Sequence, residues 1–220
     1  MSRATRWTVV VLAVFVVLGV ALWRQLGDDQ PGGGQLPWGQ QSPARAHRDA
    51  DTPAALAGPR AKAALPPCPA PLAQAPAGPQ ALQGISLDCA GDGSSVDLAK
   101  ALAGRAVVLN LWAYWCGPCA DELPKLAEYQ RRMGDKVTVL AVHQDENETA
   151  GLLRLAELGV KLPMLQDGRR LVVAAVHAPN VVPTTVVLRP DGSVAQVLPR
   201  PFTSVDDIAA AVNPQLGVSG

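Results

Sequence analysis

Two cysteines with two residues between them lie where an apolar strand pattern gives way to a helical one. Residues 105–112 form a nearly continuous apolar run, which is typical of a buried parallel strand. From residue 116 to residue 133 apolar side chains recur every three or four positions, and Gly134 follows as a helix stop. A strand followed at once by a helix favours an α/β fold and brings Cys116 and Cys119 onto one face of the helix start.

The rest of the region from 81 to 214 alternates short strand and helix patterns. We expect strands at residues 85–89, 137–142, 184–189 and 193–198, and helices at residues 96–102, 149–158 and 204–212. Pro190, Asp191 and Gly192 are a strong hairpin turn signal between the last two strands. This order predicts one α/β domain, a mixed β-sheet with helices on both faces, followed by a short tail at residues 215–220.

The position of the two cysteines favours redox chemistry. At a helix start, unpaired amides and the positive end of the helix dipole favour a thiolate at Cys116. A thiolate that attacks a disulfide, beside Cys119 as a thiol that resolves the mixed disulfide, is sufficient for thiol–disulfide exchange. Half of a zinc site is disfavoured because His143 and His177 are single residues with no ligand spacing, so no metal is expected. A purely structural bridge is disfavoured because a disulfide that closes so short a loop adds little stability.

The N-terminal residues 1–26 contain a candidate membrane anchor. Residues 7–23 carry no charge and would form a helix about 25 Å long, just adequate for a bilayer core. Arg3 and Arg6 precede this segment, so the positive-inside bias predicts an N-terminus in the cytoplasm and the rest of the chain outside. A cleaved signal peptide is the alternative. Both interpretations predict that the domain lies outside the cytoplasm.

Residues 27–80 are predicted to be a flexible linker. They are rich in Gly, Pro, Gln and Ala, and eleven of the twenty prolines of the chain lie between Pro31 and Pro79. Such a composition buries too little apolar surface to offset the entropy of ordering. Residues 1–80 have a net charge of +3 and residues 81–220 a net charge of −3. A slightly acidic domain argues against nucleic acid as a partner.

Cys68 and Cys89 lie outside the redox motif, twenty-one residues apart. Oxidising compartments favour bridges, so an exported chain is expected to join them in a structural disulfide. That bridge would contribute about 3 kcal/mol in the chain-entropy model and would attach the end of the linker to the first strand. A second exchange pair and free thiols are the alternatives.

Three segments resemble thioredoxin-fold proteins, and more closely their membrane-tethered TlpA/ResA/CcmG-like branch. They are VVLNLWAYWCGPCADELPKL (residues 107–126), VPTT (residues 182–185) and RPDGSV (residues 189–194). The resemblance covers residues 82–213. It implies a thioredoxin-like fold that needs no cofactor, with Cys116 as the nucleophile and Cys119 as the resolving thiol.

The same resemblance points to a buried acid. Thioredoxin itself has an Asp beneath the cysteines, whereas this chain has Asn110. The TlpA-like branch typically has Asn there and a Glu three residues after the second cysteine, which matches Glu122. A partly desolvated carboxylate has a raised pKa and can relay the proton of the resolving thiol. The alternative is a solvated Glu122 that complements the helix dipole, and neighbouring Asp121 leaves open which of the two faces solvent.

Trp115, Val182 and Pro183 form the candidate substrate-binding set. A proline is tolerated at the start of a strand in its ordinary trans form. The resemblance implies instead a cis bond packed against the disulfide, which leaves the Val182 backbone free to pair with an extended substrate strand. Trp115 lies beside the cysteines and is expected at the rim of the site, with Trp112 in the core.

These observations predict a membrane-tethered, extracytoplasmic thiol–disulfide oxidoreductase that reduces disulfides in exported proteins. The resemblance suggests apocytochrome c as one substrate. The reducing direction also requires an electron donor, for which we expect a membrane thiol relay. An oxidant in the folding of exported proteins uses the same cysteines in the opposite direction. A thiol peroxidase and a tethered binding module on a thioredoxin scaffold are the further alternatives.

Overall fold

A computed structural model describes residues 51–219 of the chain. The expected membrane anchor at residues 1–26 and the first part of the expected linker, residues 27–50, lie outside these residues. Among the helices of the described part, none combines the length and apolar character that crossing a bilayer requires.

The described chain contains six α-helices and seven β-strands. In order they are α1 (Pro53–Ala63), β1 (Ser86–Cys89), β2 (Ser95–Asp97), α2 (Leu98–Leu102), β3 (Val107–Trp112), α3 (Gly117–Met133), β4 (Thr138–His143), α4 (Glu148–Glu157), β5 (Met164–Gln166), α5 (Leu171–Ala175), β6 (Thr184–Leu188), β7 (Val194–Leu198) and α6 (Val205–Leu216). Two short 3-10 helices occupy Gln80–Leu82 and Gly134–Lys136.

All seven strands form one mixed sheet in the order β2-β1-β5-β4-β3-β6-β7. The pairs β3–β4 and β4–β5 are parallel, and the pairs β3–β6, β6–β7, β1–β5 and β1–β2 are antiparallel. Strand β3 is central, and all six of its residues are buried, as the apolar run predicted. Because β3, β4 and β5 run in the same direction, their carboxyl ends meet at one edge of the sheet, and the loop with the two cysteines leaves from that edge.

Helices cover both faces of the sheet, which confirms the predicted mixed α/β architecture. One core cluster contains buried residues of α1, α3, α4 and α6 together with Val108 and Trp112 of β3. A second cluster contains buried residues of α2 and α5 together with Leu109 and Leu111 of the same strand. Side chains alternate along a strand, so one strand contributes to both cores.

The prediction of a flexible linker is wrong for residues 51–80. Thr52 caps α1 by accepting a hydrogen bond from the amide of Ala55, and Leu56 is buried in the core. The disulfide between Cys68 and Cys89 ties the following segment to β1. Composition suggested too little apolar surface for folding, but Leu56 and Ala63 of α1 are buried and a disulfide joins the segment to the sheet.

Several element boundaries also differ from the predicted ones. Val96 is in strand β2, paired with Leu87 of β1, rather than in a helix from 96 to 102. Strand β5 and helix α5 have only three and five residues, too few to show a period, and were not predicted. Helix α6 continues to Leu216, so the expected tail from residue 215 starts two residues too early.

Candidate active site

Cys116 and Cys119 form a disulfide at the start of α3, directly after the central strand. Their sulfur atoms are 2.05 Å apart. Cys119 is fully buried, whereas Cys116 retains 6% of its surface. The exposed edge of the pair therefore belongs to the cysteine that the motif assigns as the nucleophile.

The start of α3 supplies a hydrogen bond to the first sulfur. Cys116 is the N-cap residue, and its Sγ accepts a hydrogen bond from the amide of Cys119 at 3.2 Å. Pro118 occupies the first turn, where a missing N–H costs nothing. When the disulfide is reduced, this amide and the helix dipole favour a thiolate on Cys116.

Glu122 lies buried one turn further along α3, whereas its neighbour Asp121 is exposed. Its carboxylate accepts hydrogen bonds from Asn110 Nδ2 at 3.1 Å and from the amide of Phe202 at 3.2 Å. Burial nevertheless raises the pKa of Glu122 to about 7, because two donors do not replace the lost water. The alternative of a solvated Glu122 on the helix surface is therefore excluded.

Asn110 on β3 connects this acid to the sheet. Its amide nitrogen donates to Glu122 and lies 3.5 Å from Thr185 Oγ1 on β6. An aspartate at position 110 would place a second carboxylate against Glu122, and like charges at hydrogen-bond distance oppose each other's ionisation. The neutral amide instead stabilises the charged form of Glu122, which explains why Asn and Glu occur together here.

The bond between Val182 and Pro183 is cis, as the resemblance implied. Strand β6 begins at the next residue, Thr184, which pairs with Leu111 near the carboxyl end of β3. This pairing brings the proline to the edge of the sheet where the disulfide lies. Pro183 is buried and Val182 half-buried. Within residues 51–219 the backbone of Val182 takes part in no backbone hydrogen bond, so its polar groups are available to an incoming strand.

Trp115 lies at the surface beside the disulfide, with 55% of its area exposed. Its indole N–H donates to Asp145 Oδ2 at 3.0 Å, which fixes the ring. A groove of about 260 Å³ begins at this ring and is shared by Val182 and by Arg170. Two of the three predicted substrate-binding residues thus line one groove, and buried Pro183 is not among its lining residues.

Sequence reasoning did not identify Arg170, Gln144 or Asn180, which also line this groove. They come from three separate loops, and none belongs to a recognisable motif. The backbone of Arg170 is left-handed, with a φ of 58°, and this conformation cannot be predicted from the residue type.

His143 and His177 are not among the residues that line the groove. His143 is fully buried at the end of β4, where its Nδ1 lies 2.9 Å from Gln166 Oε1 and its ring centroid 5.0 Å from that of Trp112. Burial lowers the pKa of His143. His177 is exposed. In the part of the chain that the structure describes, no group of three or more potential ligands could hold a metal ion.

The second disulfide joins Cys68 to Cys89, with sulfur atoms 2.07 Å apart. Cys89 is fully buried on β1, and Cys68 is half-buried against the same core. This pair matches the expected bridge between the N-terminal segment and the first strand.

Comparison with known proteins identifies the family. A model described as Redoxin matches residues 72–212. The thiol-disulfide oxidoreductase ResA of Bacillus subtilis is 32% identical over 113 residues, which are 51% of this chain and 62% of that protein. Thioredoxin of the same bacterium is 33% identical over 93 residues, which are 42% of this chain and 78% of that protein. The chain spans 62% and 60% of the length of two of the ResA proteins that it matches.

A solved structure of a DsbF homologue from Corynebacterium diphtheriae has the same fold. It is 27% identical, with a TM-score of 0.53, and the match covers 60% of this chain and 85% of that one. The Redoxin match covers more than half of the chain and includes both active-site cysteines. The chain therefore belongs to the Redoxin family, and its resemblance to TlpA/ResA/CcmG-like thioredoxin-fold proteins is confirmed.

Proposed function

We propose that this chain is a thiol–disulfide oxidoreductase that reduces disulfides in exported proteins. One observation carries the proposal: the Cys116–Cys119 pair starts a helix whose next turn carries a buried carboxyl group, Glu122, and burial raises its pKa to about 7. This arrangement combines a stabilised attacking thiolate with a group that can exchange a proton near neutral pH.

In the proposed reaction the Cys116 thiolate attacks one sulfur of a substrate disulfide. A bond forms between the two sulfurs, the substrate S–S bond breaks, and the other substrate sulfur leaves as a thiolate. Cys119 then gives its proton to the Glu122 carboxylate and attacks Cys116 Sγ. The second substrate thiolate leaves, the enzyme pair is oxidised to a disulfide, and the substrate has gained two electrons.

The carboxylate of Glu122 is held ready for this step by Asn110 and by the amide of Phe202. Both donors favour the charged form, whereas burial favours the neutral one. The balance leaves a base that is half ionised near pH 7, close to the optimum for general base catalysis at neutral pH.

The cellular setting is part of the same proposal. The uncharged segment at residues 7–23, with Arg3 and Arg6 before it, supports a single-pass anchor in the cytoplasmic membrane with the redox domain outside. A reductase in that position needs a membrane thiol relay as its electron donor. Apocytochrome c is one substrate that the resemblance to CcmG-like proteins suggests. The Gly-Pro pair between the cysteines supports the reducing direction, because it resembles that of reducing thioredoxins.

Two measurements test the proposal. The full chain with Cys119→Ser is expected to trap its substrates as mixed disulfides, which can be isolated and identified, whereas Cys116→Ser traps none. The reduction potential of the Cys116–Cys119 pair, measured in glutathione or dithiothreitol buffers, is expected near the thioredoxin value of about −270 mV. A value near that of DsbA, about −120 mV, would contradict the reducing direction and favour an oxidant.

A further inference from the structure

The groove beside the active-site disulfide combines an apolar wall with one cation. Trp115 and Val181 expose 55% and 52% of their surfaces there, and Val182 lies between Val181 and the buried proline. The positively charged side chain of Arg170 lines the same groove. A substrate segment that pairs with the Val182 backbone therefore lies against a groove that contains both an indole ring and a guanidinium.

Arg170 is held rigidly in this position. Its backbone is left-handed, with φ 58° and ψ 39°, and its amide donates to the carbonyl of Asp167 at 2.9 Å. Its Nε donates to the carbonyl of Gln144 at 3.1 Å, and its Nη1 donates to Asn180 Oδ1 at 2.9 Å. Two of the three guanidinium nitrogens are thus held by neutral oxygen acceptors.

The guanidinium has spare hydrogen-bonding capacity and no anionic partner. Arginine has five N–H donors, and two of those of Arg170 are used. Both acceptors are neutral, and within residues 51–219 no carboxylate lies within 4.0 Å of this side chain. A partly buried arginine without a counter-ion beside a reactive disulfide has a full positive charge available for a ligand.

The neighbouring carboxylates are engaged elsewhere. Asp167 accepts hydrogen bonds from the amides of Leu171 and Val172 at the start of α5. Asp145 accepts from the Trp115 indole and from the amide of Asn147. These hydrogen bonds engage both carboxylates with groups other than the Arg170 guanidinium.

We infer that Arg170 is a specificity-determining residue that selects polypeptide substrates with an acidic side chain one or two residues from the cysteine that Cys116 attacks. This inference rests on the thiol–disulfide exchange proposed above. A substrate strand on the Val182 backbone places the residues that flank its cysteine over the groove. A carboxylate there reaches the free N–H groups of Arg170 and forms a charge-assisted hydrogen bond. Because residues 81–220 carry a net charge of −3, the domain as a whole does not attract acidic substrates, and the preference is local.

The test uses the reduced full chain and three peptides that are identical except at one position next to a cysteine. That position is Glu, Gln or Lys, and the cysteine carries a methylthio group as the disulfide to be attacked. The second-order rate constant of a single turnover is measured by mass spectrometry. The wild-type protein is expected to prefer the Glu peptide over the Lys peptide by about fivefold, as for a partly exposed ion pair, and added salt is expected to reduce the preference.

Arg170→Gln is expected to lower the Glu to Lys ratio to about one, and Arg170→Lys to retain part of it. Arg170→Asn serves as a second variant, because Asn tolerates the left-handed backbone. Arg169→Gln is the matched control: it removes the same charge at an adjacent exposed residue that lines a different groove, and the ratio is expected to stay as in the wild type. Circular dichroism of each variant verifies folding.

A preference that survives in both Arg170→Gln and Arg170→Asn would overturn the inference, as would equal rates for all three peptides in the wild type. Equal rates would leave the proposed exchange activity intact. Absence of reaction with every peptide would overturn the exchange activity and the specificity together, so the two failures are distinguishable. A uniform loss of rate in Arg170→Gln with an unchanged ratio would assign Arg170 a positioning role instead and would also overturn the inference.

Discussion

The protein contains the same covalent bond twice, in two different surroundings. The Cys116–Cys119 bond spans one helical turn, leaves 6% of the Cys116 surface accessible, and has an amide donor at Cys116 and a buried carboxyl group one turn further along the helix. The Cys68–Cys89 bond closes a loop of twenty-one residues between the N-terminal segment and an inner strand, among apolar side chains. The surroundings of Cys116 and Cys119 favour their reduced thiols. The Cys68–Cys89 disulfide, in contrast, stabilises the fold while it is intact. The two bonds differ in the residues that surround them, and variants that change one set of surroundings at a time test this difference.

The largest expected difference concerns exchange activity. Cys116→Ser is expected to reduce disulfide reduction to the uncatalysed rate, because serine does not provide a thiolate. The double variant Cys68→Ser with Cys89→Ser is expected to keep the wild-type rate, measured with a peptide disulfide below the unfolding temperature. A large loss of rate in the double variant would mean that the second bond also exchanges, and the comparison would fail.

The next effect concerns the base beneath the active-site pair. Glu122→Gln is expected to slow the resolving step about a hundredfold, a typical loss when a general base is removed. The carboxylate acts in its ionised form, so the wild-type rate is expected to rise with pH through about 7, the pKa of Glu122. Rapid-quench measurements of mixed-disulfide decay between pH 5 and pH 9 would show this inflection, and Glu122→Gln should lack it.

A matched control is available on the same helix turn. Asp121→Asn removes a charge from an exposed carboxyl group and is expected to leave both the rate and the inflection unchanged. An inflection near pH 7 that persists in Glu122→Gln would assign the titration to another group.

The third effect concerns stability, for which the Cys68–Cys89 bond is expected to matter more than the Cys116–Cys119 bond. Loss of the Cys68–Cys89 bond is expected to lower the free energy of unfolding by about 3 kcal/mol, whereas loss of the Cys116–Cys119 bond is expected to lower it by about 2 kcal/mol, because it closes a much shorter loop. Urea unfolding of the two double serine variants measures both changes. Equal losses would contradict the view that loop length governs the difference.

The smallest effect concerns the contact that holds α1 against α4. Arg60 Nη2 lies 3.1 Å from Glu148 Oε1, with both side chains largely buried, and Arg60 Nε donates to the carbonyl of Ala90. Burial raises the pKa of Glu148, and Arg60 opposes that rise. Arg60→Met is expected to lower the free energy of unfolding by about 1 to 2 kcal/mol, since it leaves a buried carboxyl group without its partner.

Urea unfolding measures that loss, and a second substitution separates its cause. Adding Glu148→Gln to Arg60→Met is expected to recover part of the stability, because no charge is then left unpaired. No recovery would indicate that packing of the arginine, rather than its charge, holds α1 in place.

Local patterns predicted much of the active site. The apolar run before Cys116 and the helical spacing after it located β3 and α3, because both elements are long enough to show a period. The resemblance added the cis bond before Pro183 and the acid at Glu122. Which of Asp121 and Glu122 is buried could not be decided from sequence, since adjacent helix residues differ by only about 100° in direction and the packing of the Phe202 loop selects between them.

Composition alone did not predict the structure of the N-terminal segment. Residues 51–80 were interpreted as linker because they are rich in Gly, Pro, Gln and Ala, yet Leu56 and Ala63 are buried where α1 packs against the domain. The segment is held by contacts with α4 and β1, which lie far away in the sequence, so its own composition does not reveal them.

By itself the sequence determined the redox pair, the strand and helix on either side of it, and the pair of cysteines available for a second bond. These depend on residue type and short spacing, which act within one turn or one strand. Only the tertiary structure decided the pKa of Glu122, the ordering of residues 51–80 and the place of Arg170 beside Trp115. Each of these depends on which distant residues exclude water or supply hydrogen bonds, and that is settled when the sheet brings its loops to one edge.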